Sequence, residues 1–135
     1  MNSNLVQAAL YARINGQAAT LGLTGGVHYR LAPLKTVAPF AVFSKQSGTP
    51  LQRGLGGDVA ADNLVYLVKV IDAGESNLTA AAIFAQVNAL LDNRPLAVTG
   101  HNNVLLQRIS DVEYDETDSG QTWQHVGAEY RLIVV

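Results

Sequence analysis

The chain contains no cysteine. That excludes disulfides, thiolate catalysis and cysteine-based zinc sites, and it leaves the cellular compartment open. Charge is scarce too: Asp, Glu, Lys and Arg make up 15% of the residues, against about a quarter in an ordinary globular protein. A surface this poor in charge suits a protein that buries part of itself against partners. There is no Lys/Arg run, and the net charge is −2, so a basic footprint for nucleic acid is missing. No apolar stretch approaches the roughly 18 residues that a membrane helix requires. The opening Met1-Asn2-Ser3-Asn4 lacks the basic start and apolar segment of a secretion signal, so synthesis in a cytoplasm is expected.

What is present is an ordinary apolar content of 48% in a chain of 135 residues. That length fits one domain able to bury roughly two-thirds of its unfolded surface. Val6, Leu10 and Ile14 recur at helical spacing, with Leu5 and Ala9 beside them, and predict a helix over residues 4–15 stopped by Gly16. Residues 17–26, with Gly22, Gly25 and Gly26, read as a loose connector. A short strand follows at 27–31, broken by Pro33, and a stronger one at 39–44. Residues 47–62 hold Gly48, Pro50, Gly54, Gly56 and Gly57 without any period, and predict a long loop projecting from one end of the sheet.

Residues 63–72 form the clearest strand. Leu64, Tyr66, Val68 and Val70 line one face; Val65, Leu67 and Ile71 line the other, interrupted by Lys69. With both faces apolar, both are expected to be covered. Ser76 or Asn77 starts a second helix to about Leu91, carried by Ile83, Phe84, Val87 and Leu90. A short strand follows at 96–98 and a longer one at 103–114, the second with a bulge near Ser110-Asp111 to reconcile its shifted apolar phase. Asp118-Ser119-Gly120 is a turn. In the last strand Val126, Ala128, Tyr130, Leu132 and Val134 point one way, and His125, Glu129 and Arg131 the other. The order predicts an α+β domain: a mainly antiparallel sheet with two helices packed on one face, in a single domain over residues 1–135. One helical layer covers one face only, so a neighbouring subunit is expected on the other.

Catalytic apparatus is not legible. His28, His101 and His125 lie far apart, without the spacing that puts two ligands on one helix face. Asp115, Thr117, Ser119 and Gly120 mimic the first half of a calcium loop, but Val126 stands where its bidentate glutamate belongs. The run Asp111, Glu113, Asp115, Glu116, Asp118 therefore reads as a solvated hairpin. Arg53-Gly54-Leu55-Gly56-Gly57-Asp58 matches neither phosphate-binding pattern. No serine sits in a nucleophile elbow, and no carboxylate pair is placed in a pocket. Asn77-Leu78-Thr79 fits a glycosylation acceptor and reads better as a helix start. No cofactor, no dependence on metal and no enzymatic activity are expected.

Three stretches carry a resemblance. They are Ala38-Pro39-Phe40-Ala41-Val42-Phe43-Ser44; Val70-Ile71-Asp72 followed by the alanine-rich helix through Ala89-Leu90-Leu91-Asp92; and Val112-Glu113-Tyr114-Asp115 leading to Gln124-His125-Val126-Gly127-Ala128-Glu129-Tyr130-Arg131-Leu132. In order and spacing they resemble the tail completion, or tail terminator, proteins of long-tailed bacteriophages. The resemblance implies a virion protein that forms a homo-oligomeric ring, commonly a hexamer, on the end of the tail tube. Such a ring stops polymerisation of the major tail tube protein and offers the surface to which a head–tail connector or stopper protein docks. DNA passes through its lumen without sequence recognition, and no membrane is involved. Another neck or stopper protein, or a small ligand-binding α+β module, is the alternative. Contacts between subunits or with partners are expected at Leu51, Arg53, Leu55 and Asp58 in the long loop, and at Val65, Leu67 and Lys69 on the second strand face. The loop is expected to become ordered against a neighbouring subunit or the tail tube.

Overall fold

The computed structural model describes residues 3–53, 59–101 and 104–134. Helix α1 (Ser3–Asn15) and a short α2 (Ala18–Leu21) precede strands β1 (Val27–Tyr29), β2 (Phe40–Arg53) and β3 (Val59–Ala73). Helix α3 (Leu78–Leu91) and strands β4 (Pro95–Leu96), β5 (Val104–Asp118) and β6 (Gln121–Val134) complete the chain. The strands form one six-stranded sheet in the order β1-β2-β3-β6-β5-β4. All neighbours are antiparallel except β1 and β2, which are parallel. Parallel neighbours need a crossover, and residues 30–39 supply it as a loop without regular structure.

The core lies between the sheet and α1 and α3. Val6, Leu10 and Ile14 of α1 and Ala80, Phe84, Val87 and Leu91 of α3 are buried against Phe43, Leu64, Tyr66, Val68, Val70, Ala128, Tyr130 and Leu132. The expected alternation in β3 and β6 holds: each buried residue of β3 pairs with a buried residue of β6, as in Leu64↔Leu132 and Tyr66↔Tyr130. Tyr130 keeps its phenol satisfied by donating a 2.6 Å hydrogen bond to Asn88 Oδ1 on α3. Burial raises the Tyr130 phenol well above its ordinary value, and it pushes Tyr66 up to about 12 with Tyr29 adding to the effect. Arg13 ties α1 to the end of α3 and to β4, donating to the carbonyls of Leu90 and Pro95 at 2.9 and 2.6 Å.

Three expectations are corrected. Residues 17–26 are not a loose connector. They hold α2, closed by Gly22 in the left-handed conformation, and they bury Leu21 and Leu23. A Cβ on Gly25 would lie 1.8 Å from the Val37 carbonyl oxygen, so this glycine marks a tight seam under the crossover loop. The long loop at 47–62 is largely a strand pair instead. β2 runs on through Gly48 and Pro50 and stays in register with β3 from Phe40↔Ile71 to Arg53↔Val59, with irregularities near Gln46, Pro50 and Gln52. Residues 54–58 of that expected loop lie outside the described residues. The bulge in β5 falls between Arg108 and Ser110, slightly earlier than expected, and leaves Ile109 unpaired. The β5–β6 turn is a two-residue hairpin, with Ser119 and Gly120 both at positive φ (52° and 81°), the geometry that matches strand twist.

Candidate functional site

The sheet face turned away from the helices is where the chain leaves its surface unfinished. Register places Val42 opposite Lys69, Lys69 opposite Gly127, and Gly127 opposite Val112, all on that far face. Val65, Leu67 and Lys69 are half-buried there, as the strand pattern requires. Their cross-strand neighbours are Ser47 and Arg131 for Val65, and Ser44 and Glu129 for Leu67. Leu51 and Arg53 lie in the outer part of β2, while Leu55 and Asp58 lie outside the described residues. The described contact residues therefore divide between the far face, with Val65, Leu67 and Lys69, and the outer part of β2, with Leu51 and Arg53.

One end of the far face is covered by the chain itself. Phe40, Val42 and Ile71 form a second small core with Ala32, Ala38 and Trp123 under the crossover loop. Beside it opens a cavity of about 510 Å³, bounded by Pro33, Lys35, Phe40, Trp123, His125 and Glu116 among others. The loop that roofs it carries large apolar side chains outward: Leu31 is 85% exposed, Leu34 97% and Val37 61%. Single exposed apolar residues are common, but three on one loop make a patch of the sort that marks contact sites.

Sequence reasoning missed a polar cluster at the mouth of this cavity. His125 is buried, its ring stacked on Tyr114 with centroids 4.4 Å apart and planes at 12°. Its Nε2 lies 2.6 Å from Glu116 Oε1, and its Nδ1 is buried without a partner. An Nε2–H tautomer fits both facts: that nitrogen donates to the carboxylate and Nδ1 keeps a lone pair. Burial lowers the His125 pKa; the Glu116 hydrogen bond opposes this and the Lys69 charge adds to it. Lys69 donates a 2.8 Å hydrogen bond to the Tyr114 hydroxyl and lies over its ring. The only sequence signal for the cluster was the outward phase of His125 in β6.

The cluster has a base, a carboxylate and a cation, and among the described residues no hydroxyl is hydrogen-bonded to the imidazole. Ion-holding groups of three or more His, Asp or Glu residues are absent among the described residues. The acidic residues 111–118 line an exposed strand; Glu113 accepts from Asn77 at the start of α3, and Asp111 pairs with Arg108. No described helix is long and apolar enough to cross a membrane.

Over residues 8–134 the chain matches the family described as tail completion protein gp17. Two solved structures share its fold with TM-scores of 0.64. One is 17% identical, over 98% of this chain and 96% of its own. The other comes from the virion of a native gene transfer agent particle and is 19% identical, over 95% of this chain and 92% of its own. Among curated proteins no sequence match is found.

Proposed function

The chain belongs to the tail completion protein gp17 family, structural proteins of the phage virion tail, and from that premise we propose that it is the tail terminator. In this reading copies of the chain form a ring, of about six subunits, on the end of the tail tube. The ring stops addition of the tube protein and presents its other surface to the head-side connector, with DNA passing through the lumen. Its work is binding, without a reaction or a cofactor. Assembly takes place in the host cytoplasm.

The observation that carries the reading is the one-sided burial of the sheet. The helices close one face, while Val65 and Leu67 stay half-buried on the other and Leu31, Leu34 and Val37 stand in solvent. A charge-poor monomer with such surfaces gains by covering them. Light scattering and electron microscopy across a concentration series, with and without purified tail tubes, test it. Rings that cap tubes and halt their growth are expected. A chain that stays monomeric even beside tubes is not a terminator. Rings that bind the head-side connector but ignore tubes would make it another neck protein instead.

The cavity beside His125 supports a second reading, a small ligand-binding module, since it is roomy enough and has convergent polar groups over an apolar floor. A strict monomer that takes up small molecules there would favour it over the ring.

A further inference from the structure

We propose that neighbouring copies join head to tail by backbone pairing, the outer edge of β2 in one copy adding to the outer edge of β5 in the next. The proposal deepens the ring reading and rests on it. Both ends of the six-stranded sheet are only partly closed. β1 covers β2 at residues 41–43, and the Arg30 N–H bond to the Phe43 carbonyl ends that contact. β4 covers β5 at 104–105, followed by backbone bonds at Leu106 and the Asp92 side chain on the Arg108 N–H. Among the described residues nothing pairs with the outer backbone of residues 44–53 or 109–118. A row of unpaired N–H and C=O groups of that length is a template for another strand.

Charge decides which strand. Residues 109–118 carry Asp111, Glu113, Asp115, Glu116 and Asp118 and no base; residues 44–53 carry Lys45 and Arg53 and no acid. Pairing β5 with another β5 would set carboxylates against carboxylates, whereas β2 against β5 sets opposite signs together. The faces agree as well. Lys45 pairs in register with Tyr66, on the helix side of the sheet. Asp111, Glu113 and Asp115 pair with Ala128, Val126 and Gln124, on the same side. A sheet continued from copy to copy keeps that side continuous, so Lys45 of one copy meets the acidic row of the next. Among the described residues neither Lys45 nor Asp115 has another ionic partner. Pro50 has no N–H to give, which bounds the joining segment at about residues 44–49.

Two different edges make the contact heterologous, the kind that closes into rings. The free stretches also lie at opposite ends of the strands. The outer half of β2 runs beside residues 59–67 of β3, while the free part of β5 runs beside residues 121–129 of β6. Each added copy is therefore displaced along the strands, and a closed sheet needs such a stagger with tilted strands.

The absence of native cysteine makes disulfide trapping clean. Ser47 and Thr49 share the far face with Ser110 and Val112. Single-cysteine chains of full length, S47C or T49C mixed with S110C or V112C under mild oxidation, are expected to give covalent dimers in at least one mixture. No variant alone is expected to give one. In parallel, Lys45→Glu and Asp115→Lys each raise the concentration for half-assembly about tenfold, and together in one chain they restore it to within about twofold. Rings without any mixed cross-link overturn edge pairing and leave the ring standing. Cross-linking of S47C to itself overturns the head-to-tail arrangement. A chain that never assembles overturns both readings.

Discussion

Lys69 on β3 and Tyr114 on β5 are joined by a 2.8 Å hydrogen bond that crosses the strand between them, β6, at Gly127. At that crossing Gly127 lets β6 lie close against β3. A Cβ there would lie 2.3 Å from the Val68 carbonyl oxygen and 2.6 Å from Lys69 Cβ. Backbone cannot step aside as a flexible side chain can. Gly127→Ala is expected to cost about 1–3 kcal/mol, the range for overpacking a tight site. Chemical denaturation checks it; an unchanged midpoint would mean that β3 and β6 separate easily at this point.

The same face makes stability depend on pH. His125 titrates below its ordinary value of 6.5 because it is buried, so the folded chain holds the ring neutral while the unfolded chain takes a proton more readily. The sign follows. His125 contributes fully above about pH 6.5 and loses its contribution as pH falls through the folded value. Glu116, from β5, and Lys69, from β3, act on the ring in opposite directions, and burial outweighs the attraction of the carboxylate. Urea midpoints measured between about pH 7.5 and 5.5 should fall in the native chain, and fall less in His125→Gln. Parallel slopes in the two proteins would remove His125 as the cause.

Tyr130 offers a test of the interior. Its hydroxyl donates to Asn88 Oδ1 on α3 from the central strand β6 and so has a partner inside the core, whereas the hydroxyl of its strand neighbour Tyr66 is buried without one. Tyr130→Phe keeps the ring and removes the donor. A loss of about 0.5–1.5 kcal/mol is expected, the net worth of one buried hydrogen bond. A neutral result would show that the Asn88 amide turns to another partner.

The parts of the fold that face a core were legible in the sequence. Val6-Leu10-Ile14 on α1, the alternation of Leu64 to Val70, and that of Val126 to Val134 all fall where burial enforces a period. The outer half of β2 was not legible. Residues 45–50 are exposed on both faces, so no apolar alternation records the strand, and Gly48 and Pro50 argued against one. Hydrogen bonds to β3 hold it, and pairing of that kind leaves little trace in composition. The short α2 was hidden likewise, with Leu21 its buried residue and Leu23 buried just beyond its Gly22 cap. At the candidate site, Val65, Leu67 and Lys69 were readable from strand phase. The His125–Glu116 contact was not, because it depends on the register across the β5–β6 hairpin.

The crossover loop gives the sharpest separation between folding and assembly. Leu34 is 97% exposed and Leu31 85%, so neither supports the core, and truncating them removes almost no buried area. Surface changes of this kind stay within about 0.5 kcal/mol. The loop itself is fixed from below, by Ala32 and Ala38 on the second core and by the Gly25 N–H bond to the Pro39 carbonyl at 2.9 Å. It therefore presents its leucines from a supported base, a geometry that suits a contact made without an ordering cost. Leu31→Ser with Leu34→Ser is expected to leave the melting temperature of the monomer unchanged. It should also reduce capping of tail tubes or ring formation at least tenfold. If the double variant caps tubes as well as the native chain does, the loop is only a crossover between two parallel strands.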